Sequence, residues 1–160
     1  MQKFERADFE VQEYVESENY GKFVLSPLER GFGTTIGNAL RRVLLSSLPG
    51  AAVFSIKVDG VYHEFTSIPG VREDVSMIIL QLKQLVMKIE DDEVYTLQIS
   101  AKGPCTITAG DIICPAQVEV INKDLEIAHL EKDVTLEMEL KAKNGRGYIS
   151  ADLNKQLNQR

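Results

Sequence analysis

The stretch GTTIGNALRRVLLSSLPG, residues 33–50, is mostly small and apolar, with two adjacent arginines at its centre. Its apolar positions recur with the helical period, so it reads as an amphipathic helix. Thr34 or Thr35 can cap the start, the hydroxyl accepting from the first free backbone N–H groups. Pro49 disfavours helical backbone at the residue before it, which ends the helix near Leu48, and Gly50 suits the exit. At about 100° per residue, Ile36, Ala39, Leu40, Val43, Leu44 and Leu48 share one broad face, which must be core or interface. The other face holds Gly37, Asn38, Arg41, Arg42, Leu45 and Ser46, with Leu45 roughly 40° to 60° from each arginine. An exposed leucine between two guanidinium groups is either a solvated face with one stray apolar residue or a contact surface. Arginine suits the second role because its stem packs while its planar fork pairs with carboxylates.

Outward from this helix, residues 1–28 read as two strands around a turn: FEVQEYV alternates, SENYG breaks, and KFVLSPL is short and apolar. On the other side, AAVFSIKVDGVYHEF alternates with period two and carries Asp59-Gly60, a hairpin signal. After the loop TSIPG, the segment VREDVSMIILQLKQLVMKI, residues 71–89, reads as a second helix, with Glu73 and Asp74 at the positive end of its dipole. Beyond EDDE the chain is strand-like to its end, through VYTLQISA, CTIT, VEVIN, LEIAHL and VTLEMELKA. The expected fold is α+β, mostly antiparallel sheet with two principal helices. Neither a repeat nor a low-complexity linker interrupts it, and the best division falls at residues 50–52.

Composition narrows the function. A chain of 160 residues with 44% hydrophobic and 26% charged residues can bury a real core. Its net charge of −6, with 24 carboxylates against 18 Lys and Arg, argues against holding nucleic acid by itself. No apolar run approaches the roughly 18–20 residues that span a bilayer, and the charged start MQKFERADFEVQEYVE has no signal-peptide core. With two cysteines and no export signal, a reducing cytosol is the expected compartment.

Candidate chemistry is thin. Gly31, Gly33 and Gly37 precede Asp59 at about a dinucleotide-fold distance, but the spacing is GxGxxxG and no strand–helix crossover pattern follows. His63 and His129 are far apart and lack a partner at i+3 or i+4, so a zinc site has little support. Cys105 and Cys114 lack metal spacing and sit in apolar, strand-like segments where buried, reduced thiols are expected. Ser46 and Ser47 lie in a helix without a nucleophile elbow. The run Glu90, Asp91, Asp92 and Glu93 reads as a solvated turn. No catalytic residue, metal or cofactor is expected.

The blocks LERGFGTTIGNALRRVLLSSLPGAAV, DGVYHEF, IPGVREDV, TAGDI and GRGY, in this order along essentially the whole chain, closely resemble the N-terminal domain of bacterial RNA polymerase alpha subunits. The resemblance implies a two-lobed scaffold that dimerises and recruits the large beta and beta-prime subunits. Residues 1–51 would form the first half of the dimerisation lobe, and residues 52–160 an inserted α+β lobe. The arginine with which members grip the beta subunit falls at Arg42, beside Arg41 and with Leu45 one turn on. Met77 is a weaker match for a beta contact, and Lys83 for a beta-prime contact. The apolar face of Ile36, Leu40, Val43, Leu44 and Leu48 would pack partly within the lobe and partly against the other subunit of a homodimer. The return to the dimerisation lobe and the separate DNA-binding domain fall outside the 160 residues, so the homodimer is expected to be weakened and direct DNA binding absent. The implied role is a cytoplasmic, membrane-free subunit of a nucleotidyltransferase complex with no active site of its own. The rival readings are a nucleotide-binding enzyme and a homodimerising module unrelated to transcription.

Overall fold

The computed structural model describes residues 6–18 and 20–158. Residues 1–5 of the charged opening, Asn19 within the expected SENYG turn, and residues 159–160 lie outside them. The chain forms two compact units, Met1–Ser46 and Ser47–Arg160.

In the first unit, β1 (Asp8–Val15) and β2 (Tyr20–Ser26) pair antiparallel from Asp8↔Ser26 to Val15↔Tyr20. A single 3-10 turn, Glu16–Glu18, joins them. A bulge between Val11 and Glu13 interrupts the ladder. Phe9 and Phe23 stack with centroids 5.3 Å apart. Helix α1 (Phe32–Ser47) then begins three or four residues earlier than a cap at Thr34 or Thr35 would place it. Gly31, at φ +87°, supplies the left-handed turn into the helix. The Thr35 hydroxyl donates to the Gly31 carbonyl at 3.4 Å instead of accepting from a free N–H. Among the described residues of this unit, none is buried; only Val15, Val24, Leu25 and Ile36 are half-buried.

The second unit holds the core. Strand β3 (Pro49–Val58), β4 (Met87–Ile89), β5 (Tyr95–Lys102), β7 (Val118–Val120) and β9 (Thr135–Arg146) form one sheet in the order β5-β9-β3-β4-β7, each pair antiparallel. A second sheet pairs β6 (Cys105–Thr108) with β8 (Glu126–Leu130). Alternation sets the faces: Leu136, Met138, Leu140 and Ala142 of β9 and Leu97 and Ile99 of β5 are buried, and the residues between them are not. Ile78, Ile107 and Ile127 join them in the core cluster.

Two local expectations give way to non-local pairing, and a third gives way to a local cap. Asp59-Gly60 does turn the chain, with Gly60 at φ +72° and Val61 N–H donating to Val58 C=O. No second hairpin strand follows, because β3 is paired along its length with β9 instead. Helix α2 is only Val75–Leu82, and the end of the expected 71–89 helix is strand β4. Asn122 helps to end it: its side chain accepts from Val86 N–H at 2.8 Å and donates to Gln84 C=O at 2.9 Å, satisfying backbone groups a longer helix would use. The terminus is not all strand, for α3 (Ala151–Asn158) follows β9. The Ser150 side chain accepts from Leu153 N–H there, an N-cap signal legible in the sequence beside the i, i+4 pair Leu153 and Leu157.

Candidate subunit interface

On α1 the Arg41, Arg42 and Leu45 face is open. Leu45 is 71% exposed, and among the described residues neither arginine makes an ion pair. The Ser46 hydroxyl donates to the Arg42 backbone carbonyl at 2.6 Å, a bond that does not involve the guanidinium. The opposite face is also wet. Leu40, Val43, Leu44 and Leu48 are all more than half exposed, and only Ile36 is partly covered. Leu48 lies just past the helix, where the chain enters β3. Helix α1 has no buried residue, and contiguous exposed apolar surface of this kind makes the face a candidate contact site.

On α2 the polarity is conventional. Val75, Ile78 and Leu82 are buried, while Met77 and Leu80 are about half exposed and Lys83 is exposed at the last turn. Asp74 caps the helix by accepting from Met77 N–H at 2.8 Å. Ser76 donates to Glu64 C=O at 2.7 Å, fastening the loop that carries Tyr62 and Phe65, both largely exposed.

Glu73, just before the cap of α2, turns both carboxylate oxygens to His129. Its Oε2 accepts from His129 backbone N–H at 2.7 Å and its Oε1 faces His129 Nδ1 at 2.7 Å. Burial works against its charge, but these bonds and the nearby imidazole hold the carboxyl below the usual carboxylate range. His129 Nε2 lies 3.7 Å from Glu126 Oε2. These groups, with Arg72, Asp74 and Met77, line an open cleft of about 510 Å³. Nothing in the spacing of residues 73 and 129 announces this pair; only the tertiary fold brings them together. Elsewhere Tyr95 donates to Asp91 Oδ2 at 2.6 Å, and that bond, with a smaller contribution from burial, pushes the phenol up to about 12.

Other candidates dissolve. Among the described residues no cluster of three or more His, Cys, Asp or Glu is placed to hold a metal ion. Every described strand pair is antiparallel, so Gly31, Gly33, Gly37 and Asp59 have no parallel crossover to complete a dinucleotide fold. Cys105 is exposed, not buried, because it stands at the open start of β6; Cys114 is half-buried, and burial raises its thiol. Among the described residues no helix is long and apolar enough to cross a membrane.

Residues 56–160 match the family model of the RNA polymerase Rpb3/RpoA insert domain. The chain belongs to this family. The insert-domain match covers α2, strands β4 to β9 and α3, and takes in only the last part of β3, from Ile56 to Val58. Similarity to curated relatives extends further toward the N-terminus. The chain is 55% identical over 155 residues to the DNA-directed RNA polymerase subunit alpha of Alkaliphilus metalliredigens, covering 97% of this chain and 49% of that one. It is 53% identical over 159 residues to the subunit alpha of Desulfitobacterium hafniense strain DCB-2, covering 99% and 50%. With the subunit alpha of Desulforudis audaxviator the identity is 54% over 158 residues, covering 99% and 50%. The chain thus spans about half the length of the curated relatives it matches.

Proposed function

We propose that this chain is a non-catalytic assembly subunit of DNA-directed RNA polymerase, a platform on which the beta and beta-prime subunits are gathered. The observation that carries the reading is the unpartnered arginine–leucine face of α1, in a chain whose full length is similar to polymerase alpha subunits. Arg42 and Leu45, with Arg41 beside them, grip the beta subunit. Met77 on α2 adds a beta contact and Lys83 a beta-prime contact. Residues 1–51 act as the first half of a dimerisation lobe, and residues 52–160 as the inserted lobe. Ile36, Leu40, Val43, Leu44 and Leu48 face a second copy of the chain. The site of action is the cytoplasm, and the chain contributes no direct DNA contact, in keeping with its net charge of −6.

Arg42→Ala tests the reading. An exposed side chain without a partner contributes within about 0.5 kcal/mol to stability, whereas an interface arginine costs about 2 kcal/mol or more on truncation. The thermal midpoint should hold while capture of the beta subunit falls. A large drop in midpoint with capture intact overturns the assignment.

A further inference from the structure

The two oxygens of Glu73 both end on His129, 56 positions along the chain. A carboxylate only accepts, so the ring nitrogen facing it carries a proton. Neutral His129 is therefore the Nδ1–H tautomer, with its bare Nε2 turned toward Glu126 at 3.7 Å, beyond hydrogen-bonding reach. The backbone runs alongside. Val71 bridges Leu130, Arg72 N–H donates to His129 C=O at 3.0 Å, and Glu131 N–H donates to Gly70 C=O at 2.8 Å. Residues 70–72 thus lie on β8 as an added piece of strand, and the Glu73 carboxylate takes the next donor of the ladder. One residue later Asp74 caps α2, whose Ile78 is fully buried. The start of α2 is referenced to β8 through Glu73.

We propose that Glu73 is a positioning residue for the partner surface carried by α2, acting through the Nδ1–H tautomer of His129. This rests on the reading of Met77 and Lys83 as large-subunit contacts. The other charged groups facing the pair are Arg72 and Asp74 from the segment before α2 and Glu126 from β8; Met77 and Gln81 of α2 bring no charge. The low-lying carboxyl of Glu73 agrees with a charge kept at neutral pH.

The test compares the whole chain with its Glu73→Gln and Glu73→Ala variants. Glutamine has one accepting oxygen and one donating amide, so it fits the site only if His129 switches to the Nε2–H tautomer. Ring ¹⁵N shifts should show Nδ1–H in the parent and Nε2–H in Glu73→Gln, a change that a packing role would not produce. At neutral pH, capture of the beta subunit should be near the parent's in Glu73→Gln and about tenfold weaker or more in Glu73→Ala. An Nε2–H tautomer in the parent, or parent-like capture by Glu73→Ala, overturns the proposal. If the parent itself captures no beta subunit, the functional reading has failed and amide exchange judges the positioning. Faster exchange of α2 amides in Glu73→Ala, with β5 and β9 unchanged, upholds it; unchanged α2 exchange overturns it.

Discussion

Stripping the apolar face of α1 by the triple substitution Leu40→Ala, Val43→Ala and Leu44→Ala should separate self-association from folding. These side chains are 54%, 54% and 56% exposed. Full burial of such a side chain stabilises by about 1.5–3 kcal/mol, so roughly half of that remains available to a covering partner. Two copies meeting through this face would gain on the order of 5–10 kcal/mol from these positions. That is comparable with the roughly 4–15 kcal/mol lost when two molecules give up independent motion. The parent is therefore expected to form a reversible, concentration-dependent dimer. Alanine keeps part of each side chain, so the triple variant forgoes about two thirds of the gain, some 3–6 kcal/mol, or roughly a hundredfold and more in Kd. Alanine is also the strongest helix former, so α1 itself should persist. Sedimentation equilibrium over a wide concentration range measures the dimer, and far-ultraviolet circular dichroism checks the helix. A parent that stays monomeric throughout, or a variant that dimerises as tightly as the parent, would refute the reasoning.

Leu140→Ala should behave in the opposite manner: Leu140 is fully buried in β9, so the substitution should cost about 2–5 kcal/mol and lower the thermal midpoint at any protein concentration. Gly70→Ala should destabilise by about 2–4 kcal/mol in denaturant titration, because Gly70 sits at φ +75° and an added Cβ would meet the Val134 side chain. A neutral result there would mean the loop before α2 relaxes freely. Limited proteolysis of the chain should cut first within residues 1–46, where no described residue is buried; a first cut inside the β5-β9-β3 sheet would contradict the uneven distribution of core.

Local period was enough to read much of this protein from its sequence. The helix through Leu40 and Leu44, its arginine–leucine back face, and the alternation in Leu97, Ile99, Leu136, Met138 and Leu140 are one-dimensional patterns set by backbone geometry. The resemblance carried by the LERGFGTTIGNALRRVLLSSLPG block reached the family that residues 56–160 match. Other features depended on partners far along the chain. Asp59-Gly60 turns without a hairpin because β9, some eighty residues on, takes β3 as its neighbour. Residues 87–89 are a strand because β7 pairs with them and Asn122 occupies the backbone groups at the end of α2. Glu73 looks like a dipole residue until β8 delivers His129 to it. Helical and strand periods are written within a few residues, whereas a hydrogen bond between positions 73 and 129 exists only after loop closure has brought them together, so tertiary structure alone decided which local signals survived.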